Sequence, residues 1–315
     1  MLHLRDLACG LPSCEIFRGV YPTICESIVS LPPQLTRNQI KHLGSLRLKK
    51  QRHIHRQFLA EGDTLAAEIV QSASAALRYV VCTPVFWENQ APAWQASLMG
   101  QVYCCDQATI ASISSLDTPA DVLALLDMPA DQTSSETAQE TTLKTTPEGS
   151  LQTQPTANTS PAAASTGLWL YLDGLRDPGN LGTIWRIADW FGVSHVYLSD
   201  DCVDAYNPKV IQASMGAFLR VSCRCRSLVS LRAEHPAMSI LGTCISAGAN
   251  ALSYTWPAHT LLVIGSESHG IRPSAHAVLD GWLSIPRGPH SSGAESLNAG
   301  VATGILCAAY LRTHC

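Results

Sequence analysis

Three segments of this 315-residue chain contain polar residues at spacings that suit the binding of a charged ligand. The first, residues 172–186 (LDGLRDPGNLGTIWR), places turn-forming residues directly before helix-forming ones, with Asn180 and Arg186 at its far end. A strand, an irregular loop and a helix N-terminus are the parts of an anion or nucleotide site at the carboxyl edge of a parallel sheet. The alternative is a loop chosen for its turn geometry, followed by a surface arginine.

The second segment, residues 260–273 (TLLVIGSESHGIRP), is an apolar strand that continues into a loop. Gly265 and Gly270 in that loop would let backbone groups approach a ligand closely. A serine-hydrolase elbow needs glycines two residues before and two residues after the nucleophile, and Ser268 has only the second. The segment therefore favours a ligand-binding loop, the alternative being a strand-to-loop turn with a solvated Glu267.

The third segment, residues 283–306 (LSIPRGPHSSGAESLNAGVATGIL), predicts a helix N-terminus. Ser292 and Glu295 have the spacing of a capping box. Ser296 and Asn298 would then lie in the first turn, where free N–H groups can serve a ligand. By itself the segment indicates only a well-capped helix. The helix would pack through a face of apolar and small residues, namely Leu297, Val301, Gly304, Ile305 and Ala308.

The elements that would position these segments alternate regularly through the C-terminal half. Strands separated by helices predict an α/β fold with a parallel sheet covered on both faces. Asn180 is predicted as the N-cap of the first helix and Gly192 as its stop, with Arg186 pointing away from the apolar face. Strands are predicted near 168–173, 195–199, 219–223, 239–244, 260–265 and 282–286, and helices near 180–191, 210–217 and the C-terminus.

A smaller N-terminal α/β domain is predicted over residues 35–129. Its first stretch, 35–56, contains seven Lys and Arg residues and no Asp or Glu, and it predicts one strongly positive helix. A solvated helix face is the alternative, but this excess of cations favours contact with nucleic-acid phosphates. The cations are Arg37, Lys41, Arg47, Lys49, Lys50, Arg52 and Arg56.

Composition separates the remaining parts of the chain. Residues 130–166 are rich in Thr, Ser, Ala, Pro and Gln with almost no large apolar residue, so they predict a flexible linker. Residues 1–34 form an N-terminal extension without a clear pattern, and residues 167–315 form the C-terminal domain. With 46% hydrophobic residues, 15% charged residues and a net charge of −4, the chain is typical of a soluble globular protein.

The twelve cysteines are scattered along the chain, and none has the C-x2-C pairing of a zinc site. No apolar run approaches eighteen residues, and the N-terminus lacks an uninterrupted apolar stretch behind a basic start. We therefore predict a cytoplasmic protein with reduced, mostly buried thiols, no bound metal and no membrane span.

Taken together, the three segments resemble, in the same order, the three motifs of the SpoU/TrmH branch of the SPOUT RNA methyltransferases. They stand here as residues 177–186 (DPGNLGTIWR), 264–270 (IGSESHG) and 285–298. Residues 35–129 resemble the substrate-recruiting domain often found before the catalytic one. The resemblance implies a C-terminal trefoil knot in the parallel sheet, S-adenosylmethionine bound in the knot, and a homodimer whose active sites are completed across the interface.

The resemblance also implies roles for individual residues. Glu267 and Ser296 would organise the loops, whereas Asn180 and Arg186 would act on the RNA. We expect Arg186 to bind the target phosphate and to stabilise developing oxyanion charge, because a guanidinium stays protonated and offers no acceptor. The methyl-donor pocket would be lined by Thr243, Ile264, Gly265, Ser266, Gly270, Ile285 and Leu297, and the catalytic set would be Asn180, Arg186, Glu267, Ser296 and Asn298.

The implied reaction transfers a methyl group to a ribose 2′-hydroxyl, which only RNA offers. A hydroxyl is a poor nucleophile, so the reaction needs in-line placement and removal of the proton. The two-domain plan favours ribosomal RNA; a transfer-RNA methyltransferase and an inactive RNA-binding protein of the same fold are the alternatives. A nucleotide-dependent oxidoreductase is disfavoured because neither G-x-G-x-x-G nor G-x-x-x-x-G-K-[ST] occurs.

Overall fold

The computed structural model describes residues 31–72, 75–98, 100–129, 167–291 and 293–314. The predicted linker, 130–166, lies outside these residues, as does most of the predicted N-terminal extension. No helix among the described residues is long and apolar enough to cross a membrane, and no His, Cys, Asp or Glu side chains there are grouped to hold a metal ion. The eight cysteines in the described ranges are free thiols, six of them buried.

The described chain divides into two units that do not follow a single cut in the sequence. The first contains the chain up to Leu48 together with Leu59–Leu126, and the second contains Lys49–Phe58 together with the chain from Asp127 onward. The segment Lys49–Phe58 therefore belongs with the C-terminal unit, although the sequence pattern placed it in the N-terminal domain. The outer bounds of the predicted domains stay predictions.

The first unit is built around four strands: β1 (Gln57–Glu61), β2 (Leu77–Cys82), β3 (Val102–Cys104) and β4 (Val122–Asp127). They form one sheet in the order β1-β4-β2-β3, in which β2 is antiparallel to β4 and parallel to β3. Aliphatic side chains such as Leu43, Ile110 and Leu123 form its buried core. The helices of the first unit are α1 (Arg37–Ser45), α3 (Asp63–Gln71), α4 (Pro84–Glu88), α5 (Pro92–Ser97) and α6 (Gln107–Ile113), whereas α2 (Lys49–His55) belongs to the second unit.

The single basic helix predicted over 35–56 is wrong, because the stretch forms two helices, α1 and α2. Between them Leu46 is buried. The guanidinium of Arg47 donates to main-chain carbonyls at the end of α6, including Ser112 at 2.7 Å and Ile113 at 3.0 Å. These tertiary contacts fix the break and leave no local signal in the sequence.

The second unit is built around seven strands: β5 (Gly167–Asp173), β6 (His195–Leu198), β7 (Ser222–Cys225), β8 (Ser239–Thr243), β9 (Ala249–Asn250), β10 (His259–Gly265) and β11 (Gly281–Ser284). Their order in the sheet is β7-β6-β5-β10-β8-β11-β9, and each neighbouring pair is parallel. The predicted parallel sheet is therefore confirmed.

Helices cover both faces of this sheet. Leu170 and Leu172 of β5 belong to one core cluster, whereas Trp169 and Tyr171, which point to the opposite face, belong to another. This division explains why β5 is apolar at nearly every position. The helices of the unit are α7 (Pro178–Trp190), α8 (Pro208–Ser214), α9 (Leu228–Glu234), α10 (Pro273–His276) and α11 (Ala299–His314), with a 3-10 turn at Ala217–Leu219.

Helix α7 begins two residues earlier than predicted. Asn180 is not its N-cap; the cap is Asp177, whose carboxylate accepts the N–H of Asn180 at 2.7 Å. Pro178 takes the first helical position, where its fixed φ suits the helix and its missing N–H leaves nothing unpaired. Leu181 on the apolar face is buried and Arg186 is exposed, as the periodicity predicted.

The predicted capping box, 292–295, does not begin α11, and its serine lies outside the described residues. The helix starts at Ala299, and Asn298 provides the cap. Its Oδ1 accepts the N–H groups of Gly300 and Val301 at 3.0 and 3.2 Å. Ser296 therefore lies before the helix and not in its first turn.

The packed face of α11 also differs from the predicted one. Leu306, Cys307 and Tyr310 are buried, whereas Leu297 and Val301 of the predicted face are 47% and 53% exposed. Apolar and small residues surround this helix on every side, so helical periodicity could not select the face that packs.

Candidate functional site

Four neighbouring strands, β5, β10, β8 and β11, end at one edge of the second sheet. In the parallel register Gly265 of β10 lies beside Asp173 of β5, and Leu283 of β11 lies beside Thr243 of β8. Loops that leave the carboxyl ends of parallel strands meet at a common crevice. Segments that are far apart in the sequence therefore face one space.

A cavity of about 630 Å³ lies at this edge. This volume is in the range of small-molecule sites. Glu267 and Ser296 line the cavity, but Asn180, Arg186 and Asn298 are not among its lining residues. The lining contains all seven residues predicted to contact the methyl donor: Thr243, Ile264, Gly265, Ser266, Gly270, Ile285 and Leu297.

The loop from Gly265 to Gly270 forms one wall of the cavity and is closed on itself. The N–H of Ser266 donates to the carbonyl of Gly270 at 3.1 Å, and the N–H of Gly270 donates back at 2.9 Å. Gly270 has a φ of +65°, which favours glycine. A Cβ at position 265 would lie 2.1 Å from the carbonyl carbon of Gly270, so this backbone approach is possible only without a side chain.

The opposite wall comes from the end of β11 and the connection between β8 and β9. The N–H of Cys244 donates to the carbonyl of Leu283, and the N–H of Ala251 donates to the carbonyl of Ser284, each at 2.9 Å. The Ser284 hydroxyl adds a bond to the carbonyl of Gly248 at 3.0 Å. The connection after β8 thus holds β11 on one side, and the residue after β9 holds it on the other, directly before Ile285 enters the cavity wall.

A chain of hydrogen bonds joins residues of all three sequence segments. The side-chain amide of Asn180 donates to the carboxylate of Glu267. The amide of Asn298 donates to the side-chain carbonyl of Asn180 at 2.7 Å. The partners are separated by 87 and 118 residues in the sequence. The structure therefore brings Asn180, Glu267 and Asn298 together.

This chain fixes the direction of each polar group. Asn298 uses its Oδ1 to cap α11, so its amide is free to donate to Asn180. Asn180 must then turn its own amide to Glu267, which accepts as a carboxylate; bonds to a charged acceptor are stronger than neutral ones. The carboxylate of Glu267 is therefore held at the cavity wall, and its oxygens can accept further hydrogen bonds.

Arg186 is placed differently. It is exposed on α7, and no ion pair or hydrogen bond joins it to another described residue. Its charge is thus available to an anion from outside this part of the chain. The catalytic role predicted for Arg186 stays a prediction. The same holds for the roles predicted for Ser296, Asn180, Glu267 and Asn298.

The seven cations predicted to bind RNA are placed in three different ways. Arg37, Lys41, Lys49 and Lys50 are exposed. The guanidinium of Arg47 binds the carbonyls at the end of α6, and that of the partly buried Arg56 donates to the carbonyl of Pro129. The remaining cation, Arg52, has a separate structural role.

Arg52 does not fit the predicted RNA surface. Its side chain is 2% exposed and forms an ion pair with Asp204, which is 6% exposed, with its Nε 3.0 Å from Asp204 Oδ2. Phe58, at the end of the same segment, packs against Tyr206 with ring centroids 4.7 Å apart. These contacts account for the grouping of Lys49–Phe58 with the C-terminal unit.

Sequence reasoning missed several residues of the site. Asp173 is 1% exposed and pairs with Arg272; a lone carboxylate at the end of an apolar strand is a usable signal, because such groups are buried only when paired. Arg287 donates to the carbonyl of Glu295 at 2.6 Å and closes the loop before Ser296. Further lining residues without a distinctive pattern are Cys244, Ile245, Ser268, His269 and Trp282.

Comparisons with known proteins agree with this architecture. Residues 167–308 match the model of the SpoU rRNA methylase family, and residues 37–124 match the MRM3-like substrate-binding domain. A solved structure of a TrmH-family protein from Porphyromonas gingivalis is 32% identical, with a TM-score of 0.68, and the match covers 88% of this chain and 98% of that one.

Two further matches extend the comparison. The 23S rRNA (guanosine(2553)-2′-O)-methyltransferase RlmP of Bacillus subtilis is 26% identical over 272 residues, 85% of this chain and 94% of the relative. The structure of an rRNA methyltransferase from Sinorhizobium meliloti with bound S-adenosylmethionine has the same fold, with a TM-score of 0.68 at 22% identity over 90% of this chain and 97% of that one. The chain therefore belongs to the SpoU/TrmH family of S-adenosylmethionine-dependent RNA 2′-O-methyltransferases, which confirms the resemblance seen in the sequence.

Proposed function

We propose that this enzyme methylates the ribose 2′-hydroxyl of a nucleotide in ribosomal RNA. The observation that supports this most strongly is the hydrogen-bonded chain Glu267–Asn180–Asn298 beside the cavity. The choice of ribosomal RNA is supported by the substrate in the name of the Bacillus relative and by the match of residues 37–124 to a substrate-binding domain.

The residues around the cavity fit S-adenosylmethionine. Ile264, Ile285 and Leu297 offer apolar surface for the flat base and the aliphatic chain. The missing side chain at Gly265 lets Gly270 approach closely and so forms the loop that lines the cavity. When bound, this cofactor supplies a methyl group on a positively charged sulfur. The nearby carboxylate of Glu267 complements that charge.

The roles of the polar residues follow from their hydrogen bonds. Glu267 and Asn298 hold Asn180 in one orientation, and Asn180 contacts the RNA from the first turn of α7. Arg186, charged and exposed, binds a phosphate of the target nucleotide through two parallel N–H bonds and places the ribose in line. Ser296 orders the loop before α11.

Exposed cations supply a general attraction for RNA. Arg37 and Lys41 lie on α1, and Lys49 and Lys50 lie on α2. Such groups bind phosphates without reading sequence and release counterions when they do so, which makes the affinity depend on salt. Lys49 and Lys50 are fixed to the catalytic unit through Arg52, so we propose that they hold RNA at a set distance from the cavity.

We also propose that the C-terminal segment passes through a loop as a trefoil knot. Support comes from β11, which pairs with β8 on one side and with β9 on the other. These two strands are consecutive, so the connection 244–248 must pass around the end of β11. The chain that follows β11 then reaches α11, where the Tyr310 hydroxyl donates to the carbonyl of Ala258 at 2.7 Å.

A homodimer is proposed from the exposed apolar side chains of α7 and α11. Trp190 is 84% exposed, Val301 is 53% exposed and Leu311 is 39% exposed. The two helices are packed together, since Gly300 lies against Thr183. Exposed apolar surface on adjoining helices is typical of protein interfaces, and a second copy of this chain would cover it.

The test is methyl transfer from tritiated S-adenosylmethionine to purified ribosomal RNA and, separately, to transfer RNA. We expect label in ribosomal RNA, recovered in alkali-resistant dinucleotides because a 2′-O-methyl group blocks cleavage at that position. Arg186→Ala should abolish the label and leave cofactor binding intact. Label confined to transfer RNA would reject the proposed substrate, and RNA binding without transfer would mark an inactive RNA-binding protein.

The predicted cytoplasmic location stays a prediction.

A further inference from the structure

The carboxylate of Asp173 binds Arg272 through both of its oxygens. Asp173 ends β5 and is 1% exposed. Its Oδ2 accepts the main-chain N–H of Arg272 at 2.7 Å, and its Oδ1 accepts the Nε–H at 2.7 Å, with Nη2 of the guanidinium 2.6 Å from the same oxygen. A single buried carboxylate therefore fixes both the backbone and the side chain of one arginine.

This pair holds the far end of the cavity loop. Gly265, the first residue of the loop, is the β-ladder neighbour of Asp173. Arg272 follows the last residue of the loop, Gly270, by two positions. Both ends of the loop are thus attached to the same residue, one through the ladder and the other through the carboxylate, and Glu267 lies between them.

The arginine also connects the loop to the end of β6. Its Nη1 lies 3.2 Å from Oδ1 of Asp201. The same Asp201 oxygen accepts the hydroxyl of Ser199 at 2.6 Å, and that hydroxyl in turn accepts the N–H of Gly174 at 2.8 Å. The hydrogen bond to Asp173 raises the pKa of Arg272, so the contact favours the charged form of the arginine.

Burial of an ionised carboxylate is costly unless the charge is paired and hydrogen-bonded. The contact between Asp173 and Arg272 is therefore specific and has a defined geometry. Its loss would free the 265–270 loop, which is a larger effect than the loss of a charge on the surface. The guanidinium is already bound to Asp173 and Asp201, so Arg272 is not placed to bind RNA phosphate as Arg186 is.

We propose that Asp173 and Arg272 are positioning residues that keep the 265–270 loop closed and hold Glu267 against Asn180, so that the cavity is formed before the cofactor binds. This inference rests on the proposed function of that cavity. It predicts that the pair controls cofactor affinity and turnover without touching either ligand.

The experiment compares Asp173→Asn and Arg272→Gln with Asp280→Asn. Asp280 offers a control with the same types of donor on a more exposed carboxylate, because its side chain is 48% exposed and its Oδ2 accepts the N–H of Ile240 at 2.8 Å and the guanidinium of Arg232 at 2.5 Å at the opposite edge of the same sheet. Calorimetry gives the Kd for S-adenosylmethionine, methyl transfer gives kcat and KM, and hydrogen–deuterium exchange without ligand reports on residues 265–271.

We expect Asp173→Asn and Arg272→Gln to speed exchange in the loop, to weaken cofactor binding by about tenfold or more, and to lower kcat, as loss of a charge-assisted contact would. Asp280→Asn should change none of these. Arg272→Lys, which keeps the charge but not the planar two-donor geometry, should recover part of the affinity.

Unchanged exchange and affinity in Asp173→Asn, with only a lower Tm as in Asp280→Asn, would overturn the proposal. The exchange measurement needs no ligand, so it decides the positioning role even if the wild-type protein transferred no methyl group. If Asp173→Asn does not fold, Arg272→Lys answers the same question by the same three readouts.

Discussion

Asn298 donates a hydrogen bond of 2.7 Å to the side-chain carbonyl of Asn180, although 118 residues separate them in the sequence. The bond joins the cap of α11 to the first turn of α7. It also sets the amide of Asn180 toward Glu267. A family motif that looks like three independent pieces in the sequence is therefore one connected group in the fold.

The first prediction concerns this connection. Asn180→Ala and Asn298→Ala should each lower kcat/KM by roughly 10- to 100-fold, the equivalent of about 1.5–3 kcal/mol for a hydrogen bond in a chain that ends on a carboxylate. The double variant should lose less than the sum of the two, because both changes break the same chain. Asn89→Ala, on the exposed surface of the first unit, should leave kcat/KM unchanged. Fully additive losses would contradict the coupling.

A second prediction tests the close backbone approach at Gly265. Gly265→Ala puts a Cβ within 2.1 Å of the Gly270 carbonyl carbon, so the loop must open and S-adenosylmethionine binding should fall below detection by calorimetry. Gly288 lines the same cavity, but a Cβ there would meet no atom within 4 Å. Gly288→Ala should therefore bind the cofactor within twofold of wild type. Equal affinities for the two variants would refute the argument.

Much of the catalytic unit could be predicted from local sequence. Short apolar runs separated by amphipathic helices defined the parallel sheet, because a strand buried on both faces is apolar at nearly every position. The helix caps were less predictable. Pro178 takes the first helical position of α7, so its cap is Asp177 and not Asn180. Helix α11 is apolar on all sides, so the sequence pattern does not show where it begins. The resemblance to a family, and not periodicity, led to the cavity residues.

The burial of Arg52 could not be foreseen from the sequence. Its partner, Asp204, is 152 residues away, and a run of seven cations looks the same whether each faces water or a buried carboxylate. The position of β11 between β8 and β9 is equally invisible, since it depends on how the chain passes around itself.

The third prediction separates two kinds of cation in α2. Lys49→Ala with Lys50→Ala should weaken RNA binding and reduce the slope of log K against log salt by about 1.5, as two lost phosphate contacts would. Arg52→Met should leave that slope unchanged but lower the free energy of unfolding by about 3–5 kcal/mol, because the buried Asp204 would lose the guanidinium and keep the imidazole of His53 at 3.4 Å. Filter binding at several salt concentrations and urea unfolding measure the two effects. A reduced slope in Arg52→Met would show that Arg52 contacts RNA phosphate, as the sequence predicted.

A fourth prediction concerns acid stability. His195 and His259 pack against Trp169. Burial lowers the pKa of both histidines, and the charge of the nearby His235 lowers each pKa further. Arg224 also lowers the pKa of His195. In the unfolded chain both take up a proton near pH 6.5. As the pH falls below that value the unfolded state binds protons first, so the free energy of unfolding must fall.

The measurement is urea unfolding at pH 7.5 and 5.5. Wild type should lose more stability between these pH values than His195→Gln or His259→Gln, because each variant removes one group whose pKa differs between the two states. A pH dependence identical in all three proteins would rule out a contribution from these histidines.

The last prediction addresses the exposed face of α7 and α11. If a second copy of the chain covers Trp190 and Val301, a charge at position 301 should separate the copies, because an unpaired ammonium buried in an apolar interface costs several kcal/mol. Val301→Lys should therefore be monomeric at micromolar concentration by light scattering and should lose methyl transfer, if the active site is completed across the dimer as the resemblance to the family implies. Val229 is also exposed, at 62%, but lies on α9 of the same unit. Val229→Lys should remain dimeric and active, and a wild-type protein that is monomeric yet active would exclude the shared site.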